Sequence, residues 1–296
     1  MDGVVAKDDP RYPERLRGIA GAPERLYYKG RWEAALFAEC LAVVGTRRMT
    51  SYGKRVTEQL VTEIAAAGVT IVSGFMYGID AEAHRAALAA GGRTIAVMPC
   101  GIERISPAYQ QDLYEAILQR GLVLSELPGT TAAALWAFPK RNRIVAGLSQ
   151  ATLVIEGTEE SGALITAAFA RRYGRRVFAV PGPVTSPVSL GPIQLLREGA
   201  AVAARAEDVL AVYGKAQRKR AASAGVPAGA DDDTLGALER QILTHLRREP
   251  MPIDELARTL QASSADLGTA LSLLVLSGRV IEAEGRYTLI SRRRRC

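Results

Sequence analysis

Several features that would identify common classes of protein are scarce or missing in this 296-residue chain. The three cysteines, Cys40, Cys100 and Cys296, lie far apart and in no metal-ligand spacing. An odd, sparse set fits reduced thiols and excludes a disulfide framework. No run of about 18 apolar residues occurs, which excludes a membrane-spanning helix. The first residues lack the basic-then-apolar pattern of a secretory signal. We therefore expect a cytoplasmic protein with no membrane partner.

The parts of a reaction centre are also scarce. The chain has two histidines, His84 and His245, and neither belongs to a Ser-His-Asp or Cys-His arrangement. The dinucleotide fingerprint G-x-G-x-x-G and the Walker pattern are absent. We expect His84 to be structural, and we expect no enzyme activity, no cofactor and no metal. Four glutamates lie in no recognisable acid–base motif: Glu126, Glu156, Glu159 and Glu160.

What the chain does have is a basic excess and enough apolar residues for a large core. There are 38 basic and 31 acidic residues, for a formal charge of +7, and 48% of residues are hydrophobic. A basic excess favours polyanionic partners such as nucleic acid. Ordinary solubility explains it equally well, because part of the excess is the RRRR at 292–295.

Short apolar runs alternate with longer amphipathic stretches through the first two thirds of the chain. The runs are rich in valine and isoleucine and nearly continuous, which is typical of strands buried on both faces. The alternation predicts an α/β fold with a doubly wound parallel sheet and ligands at the carboxyl ends of its strands. The predicted strands are 41–45, 69–73, 93–98, 122–126, 151–156 and 176–180.

The remaining segments differ in composition and indicate a second domain. Three predicted helices and a hairpin turning at Glu284-Gly285 indicate a small C-terminal winged helix. Its third helix is nearly free of basic residues, which favours protein contacts over DNA reading. The predicted divisions are an N-terminal cap (1–40), a sheet domain (41–213), a linker (214–234), the winged helix (235–290) and a basic tail (291–296).

The first predicted turn carries two arginines, Arg47 and Arg48, directly after the strand that ends at Gly45. A helix opens near Ser51, and the free N–H groups of a helix start favour an anion. Guanidinium groups bind phosphate with two bonds. The turn is therefore a candidate phosphate site, with a simple turn carrying solvated arginines as the alternative.

Small residues follow two other predicted strands. Ser73 and Gly74 form a backbone-exposing loop before a helix that we expect Asp80 to cap, and Ser161 and Gly162 start another helix. Exposed N–H groups at such starts offer further phosphate sites. The alternative is that the glycines only allow the chain to bend.

Four polar residues, Lys140, Arg141, Asn142 and Arg143, follow Phe138-Pro139 and are expected to open a helix. Positive charges at a helix start oppose the macrodipole, and an anionic ligand would offset that cost. Phe138 is a candidate for stacking on a base, as aromatic side chains do in single-strand sites. A core role for Phe138 remains open.

Taken in order, these motifs resemble the DprA/Smf family of DNA-processing proteins. The resemblance runs from about Asp9 to Tyr213 and includes the small C-terminal domain. The motifs are VVGTRRMTSYG, VSGFMYGIDAEAHRAAL, TIAVMPCGIERISP, LSELPG, FPKRNRIVAGLS, VIEGTEESGALITAAFA, VFAVPG and LLREGA.

The resemblance implies an extended Rossmann-like domain that binds single-stranded DNA in a basic pocket and forms homodimers. It also implies protection of incoming strands in natural transformation and loading of RecA past single-strand-binding protein, without enzyme activity. By motif, Arg47 and Lys140 would contact phosphates. The residues that would build or line the pocket are Gly45, Thr46, Ser73, Gly74, Arg141, Asn142, Arg143, Ser161 and Gly162.

The sequence departs from the family pattern at several positions. Tyr77 stands where the family loop has an arginine, which removes a cation and offers a stacking ring. The helical N-terminal domain of some relatives is expected to be absent. Two alternatives remain: a sequence-specific regulator acting through the winged helix, and a nucleotide-hydrolysing enzyme of related fold. The enzymes carry P-G-G-x-G-T-x-x-E, whereas EGTEESG here lacks the paired glycines.

Overall fold

The computed structural model describes residues 2–215, 235–247, 249–283 and 285–289. Contacts divide the chain into two compact units, Met1–Ala221 and Ala222–Cys296. Most of the predicted linker and the whole basic tail lie outside the described residues. Within those residues, no helix combines the length and the apolar character needed to cross a membrane.

In the described part of the larger unit, nine strands form one sheet in the order β1-β2-β6-β5-β4-β3-β7-β8-β9. In this spatial order, the seven strands from β6 to β9 are all parallel to their neighbours within that group. This confirms the predicted doubly wound sheet. The chain winds outward from β3 in both directions. The strands are β1 (Asp2–Ala6), β2 (Arg25–Gly30), β3 (Cys40–Val44), β4 (Thr70–Ser73), β5 (Thr94–Val97), β6 (Leu122–Ser125), β7 (Ala151–Val154), β8 (Arg176–Ala179) and β9 (Ala201–Val202).

Three of these strands have no counterpart in the sequence prediction. Strands β1 and β2 lie in the segment predicted as an N-terminal cap, and they join the sheet antiparallel, with β2 paired to β6. Each has few fully buried side chains, with Val5 and Leu26 at 0% exposure. They therefore lack the continuous apolar run that marks the six interior strands. Strand β9 is only two residues long.

Helices cover both faces of the sheet. Successive residues of β3 alternate between two cores: Leu41 and Val43 face one side, Ala42 and Val44 the other. This period of two places apolar side chains on both faces, as expected for an interior parallel strand. The helices are α1 (Glu14–Arg17), α2 (Ala35–Ala38), α3 (Ser51–Ala66), α4 (Ile79–Ala89), α5 (Gln111–Arg120), α6 (Ala137–Leu148), α7 (Gly162–Arg172), α8 (Leu190–Arg197) and α9 (Ala206–Leu210).

The described part of the smaller unit has the predicted winged-helix order, three helices and then an antiparallel hairpin. Ser263 caps the third helix by accepting from the N–H of Asp266 at 3.1 Å, and Gly278 (φ +64°) follows that helix. A core of its own holds the unit together. Its elements are α10 (Ala237–Leu246), α11 (Ile253–Leu260), α12 (Ser264–Leu276), β10 (Val280–Ala283) and β11 (Arg286–Leu289).

His84 lies in α4, fully buried, with Nδ1 2.6 Å from Thr94 Oγ1. This is the structural role expected from the sequence. Burial lowers the pKa of its imidazole to about 3, and the positive charges of Arg141 and Arg85 act in the same direction. In the unfolded chain an imidazole takes up a proton near pH 6.5. The folded state therefore loses stability as pH falls from about 6.5 towards 3.

We predict that His84→Gln flattens this acid sensitivity, which is at most about 1.4 kcal/mol per pH unit for one group. Urea unfolding followed by tryptophan fluorescence between pH 7 and 4 measures the stability of the larger unit. Trp32 and Trp136 are the only tryptophans of the chain, and both lie in that unit with His84. His245→Gln, in the smaller unit, is the control and should leave the profile unchanged. An identical pH profile for His84→Gln and the wild type would contradict the assignment.

Candidate functional site

A cavity of about 500 Å³ opens at the carboxyl edge of the sheet, beside β3 and β7. Strand β3 lies between β4 and β7, so the strand order reverses there, and open α/β sheets bind ligands at such a switch point. The turns after β3, β4 and β7 and the first turns of α6 and α7 form its walls. Nine residues predicted for the site line it: Gly45, Thr46, Arg47, Gly74, Phe138, Arg141, Asn142, Ser161 and Gly162.

Arg47 is an exposed cation on the cavity wall and lies against two aromatic rings. Its guanidinium carbon is 5.2 Å from the ring centre of Phe138 and 5.8 Å from that of Tyr77. Both distances are within cation–π range. Phe138 is half-buried and lines the cavity, and Tyr77 is 41% exposed. The Arg47 guanidinium group therefore contacts both aromatic rings.

Arg141 forms the floor of the cavity and is only 5% exposed. Its Nη1 donates hydrogen bonds to the carbonyls of Gly74 and Val97. Burial lowers the pKa of Arg141 to about 10, and the negative charge of Asp80 partly offsets this. Burial also raises the pKa of Asp80, with Arg141 opposing. The floor is therefore a buried network in which Arg141 Nη1 is bonded to the protein, while its Nε has no hydrogen-bond partner.

The start of α3 does not offer the anion site that the sequence suggested. The Thr50 N–H donates to Glu156 Oε2 at 3.0 Å, its hydroxyl to Oε1 at 2.5 Å, and the Gly53 N–H to Thr50 Oγ1 at 3.1 Å. A carboxylate of the protein therefore lies at this helix start, where the sequence predicted an external anion. The carbonyl of Glu156 also accepts from the Thr46 N–H at 2.7 Å.

The start of α7 is more open towards the cavity. Ser161 caps it, accepting from the Ala163 N–H at 3.3 Å, and Asn142 Nδ2 donates to the Gly162 carbonyl at 3.2 Å. A Cβ at Gly162 would have no neighbour within 4 Å. Of the starts of α3 and α7, that of α7 therefore has the space that a phosphate needs.

The expectation that 140–143 open a helix was three residues off. Helix α6 begins at Ala137, so Lys140 lies about one turn and Arg143 nearly two turns inside it. Arg143 donates to Glu126 Oε1 at 2.6 Å, and Lys140 Nζ is 3.5 Å from Glu126 Oε2. The Glu126 carboxylate therefore offsets part of this positive charge, most closely at Arg143.

Five predicted site residues lie off the cavity wall. Ser73 is fully buried and donates to the Val43 carbonyl at 2.6 Å, so a ligand does not reach its hydroxyl. Arg143 is buried against Glu126. Tyr77 packs against Arg47, while Arg48 and Lys140 are exposed beside the cavity rather than in it.

Several lining residues were missed by the sequence prediction. Asp80 was expected as a helix cap, but Gly78 holds that position, and Asp80 lines the cavity with its carboxylate accepting from the Met76 N–H at 3.4 Å. Leu135 and Ile165 are apolar, and sequence pattern alone does not distinguish them from core residues. The others are Val44, Met76, Pro139, Val145, Thr158, Glu160, Ala163 and Thr166.

The fold and the cavity define a Rossmann-like α/β protein with a ligand site at its switch point and an appended winged-helix unit. A family model described as DNA recombination-mediator protein A matches residues 3–214, and one described as DprA winged helix domain matches 226–286. The chain therefore belongs to the DprA/Smf family, as its motifs suggested.

Individual relatives agree with this assignment. The chain is 42% identical over 199 residues to DNA processing protein DprA of Bacillus subtilis, covering 67% of each chain. It is 33% identical over 292 residues to protein Smf of Escherichia coli, covering 98% of this chain and 78% of the relative.

Two solved structures share the fold. The X-ray structure of DNA processing protein A from Streptococcus pneumoniae superposes with a TM-score of 0.68 at 38% identity, covering 71% of this chain and 74% of that one. The other, from Helicobacter pylori, is described as giving insight into the single-stranded DNA binding mode of that protein. It has a TM-score of 0.65 at 28% identity and covers 73% and 96%.

We predict that Glu156→Ala lowers the free energy of unfolding of the larger unit by about 1–3 kcal/mol, because the Thr50 N–H loses its acceptor. Glu156→Gln keeps one acceptor oxygen and should cost less. Glu159→Ala, which removes an exposed carboxylate three residues away, is the control. Urea unfolding followed by tryptophan fluorescence measures all three. Equal stabilities for Glu156→Ala and Glu159→Ala would contradict the role of this carboxylate.

Proposed function

We propose that this protein binds single-stranded DNA in the switch-point cavity and acts as a recombination mediator that loads RecA onto the strand. The observation that carries the proposal is the position of Arg47 between Tyr77 and Phe138 on the cavity wall. Guanidinium binds phosphate, and aromatic rings stack on bases irrespective of sequence. One cluster thus supplies both kinds of contact that a single strand needs.

The same chemistry favours a single strand over a duplex. Bases in a duplex are stacked on each other, so only unpaired bases present a free face to Phe138 and Tyr77. The winged helix offers little for reading a duplex. Its third helix, α12, carries one charged residue, Asp266, and no arginine, lysine, asparagine or glutamine.

The relatives support the assignment. The protein from Helicobacter pylori, with the same fold, binds single-stranded DNA according to the description of its structure. The family model names a recombination mediator. We extend both properties to this chain. Its proposed partners are RecA and single-strand-binding protein, and its proposed assembly is a homodimer. We propose that it acts in the cytoplasm during natural transformation. The role involves no covalent chemistry.

We predict that Arg47→Ala and Lys140→Ala each weaken binding of a fluorescent single-stranded oligonucleotide. Each should also reduce the slope of log affinity against log salt by about 0.7, the value for one phosphate contact on a single strand. Fluorescence anisotropy at several salt concentrations gives both quantities. The control is Arg176→Ala, which removes an exposed arginine at the amino end of β8, the opposite edge of the sheet.

Unchanged affinity and slope for both variants would show that the strand does not bind at this cavity. Equal affinity of the wild type for single- and double-stranded oligonucleotides would instead support the duplex-binding alternative. Either result would overturn the proposed function.

We also predict that the wild-type protein accelerates RecA ATPase activity on single strands coated with single-strand-binding protein, and that Arg47→Ala does so less well. DNA-dependent ATP hydrolysis reports how much RecA has assembled on the strand. Arg176→Ala should behave as the wild type. Single-strand binding without any acceleration of RecA would leave the cavity assignment intact and contradict the mediator role.

A further inference from the structure

Trp136 is a large exposed aromatic residue just outside the main cavity. It stands at the N-cap of α6 and is 59% exposed. Trp32, by contrast, packs with Tyr28 and Phe37 at ring-centre distances of 4.7 and 5.0 Å. Burying an indole contributes strongly to folding, so leaving one at the surface calls for a partner.

A lysine accompanies the exposed ring. Lys140 Nζ is 5.6 Å from the centre of the Trp136 ring, within cation–π range. Both residues line a small cleft beside the main cavity, together with Glu126 and Leu127. Among the residues that line the cleft, Lys140 and Arg141 carry positive charge and Glu126 carries negative charge. The cleft is therefore net positive, with an aromatic surface beside it.

This cleft adjoins the main cavity, since Arg141 lines both. Leu135, which is 90% exposed, lines the main cavity, and the next residue, Trp136, lines the cleft. Phe138, two residues further on, returns to the main cavity. A strand that leaves the cavity over this turn meets the Trp136 ring and the Lys140 ammonium group together.

We propose that Trp136 and Lys140 form a second nucleotide site, which holds the unpaired nucleotide next to those bound in the main cavity. The indole stacks on the base, and the ammonium group contacts its phosphate. The assignment rests on the proposed function, since it requires a single strand in the main cavity. The occupant follows from the positive charge of the cleft and from its position next to that cavity.

The two tryptophans allow a direct test in the full chain. Trp32→Phe leaves Trp136 as the sole tryptophan, and oligo(dT) titration should quench its fluorescence in step with binding followed by anisotropy. Trp136→Phe leaves Trp32, whose fluorescence should not respond. Stacking on one base is worth roughly tenfold in affinity. Trp136→Ala should lose about that much, whereas Trp136→Phe, which keeps a ring, should retain most of it.

The outcomes separate this inference from the proposed function. Normal anisotropy titrations with no quenching of Trp136, and wild-type affinity for Trp136→Ala, would overturn the second site while the main cavity stands. No binding of oligo(dT) by the wild type would overturn both. Equal losses for Trp136→Ala and Trp136→Phe would also overturn the stacking role, since a ring remains in the second variant.

Discussion

The hydrogen bonds between Glu156, at the end of β7, and the turn after β3 hold the edge of the sheet on which the site is built. The carboxylate accepts from Thr50, and the backbone carbonyl accepts from the Thr46 N–H. Gly53 permits this, because a Cβ there would overlap the carboxylate. Gly78 (φ +79°) likewise lets the loop after β4 approach the backbone of Thr46. Three strand ends thus pack as one unit, and this unit sets the position of Arg47.

The charges at this edge fall into two groups with different consequences. Arg141 and Arg143 are buried and bonded to carbonyl groups or to Glu126, so they help to hold this edge together, while Arg141 Nε and Arg143 Nη1 have no hydrogen-bond partner. Arg47 and Lys140 are exposed and lie beside aromatic rings. In the proposed function, affinity therefore depends on a few phosphate contacts combined with stacking. That combination gives a shallower salt dependence than binding by a broad basic surface.

The sequence predicted those parts of the fold and site that depend on local pattern. The six interior strands are continuous apolar runs, and parallel strands place their carboxyl ends at one edge, which led to Gly45, Gly74 and Ser161. Ser73 is the last residue of β4, and its hydroxyl donates to Val43, 30 residues away in the chain, so its burial was not foreseen. Neither was the role of Glu156, because its partner Thr50 is 106 residues away in the chain. Strands β1 and β2 were missed because they lack a continuous apolar run. Each has only one side chain at 0% exposure, so the fold does not require such a run there.

The most direct test of the account is to map where a single strand contacts the full-length protein. Photocross-linking of an oligonucleotide containing bromodeoxyuridine, followed by mass spectrometry of the peptides, gives this without any substitution in the protein. The account predicts cross-links in the peptides that contain Tyr77 and Phe138, on the walls and rim of the switch-point cavity. Cross-links confined to residues 235–289 would place the strand on the winged-helix unit and contradict the account.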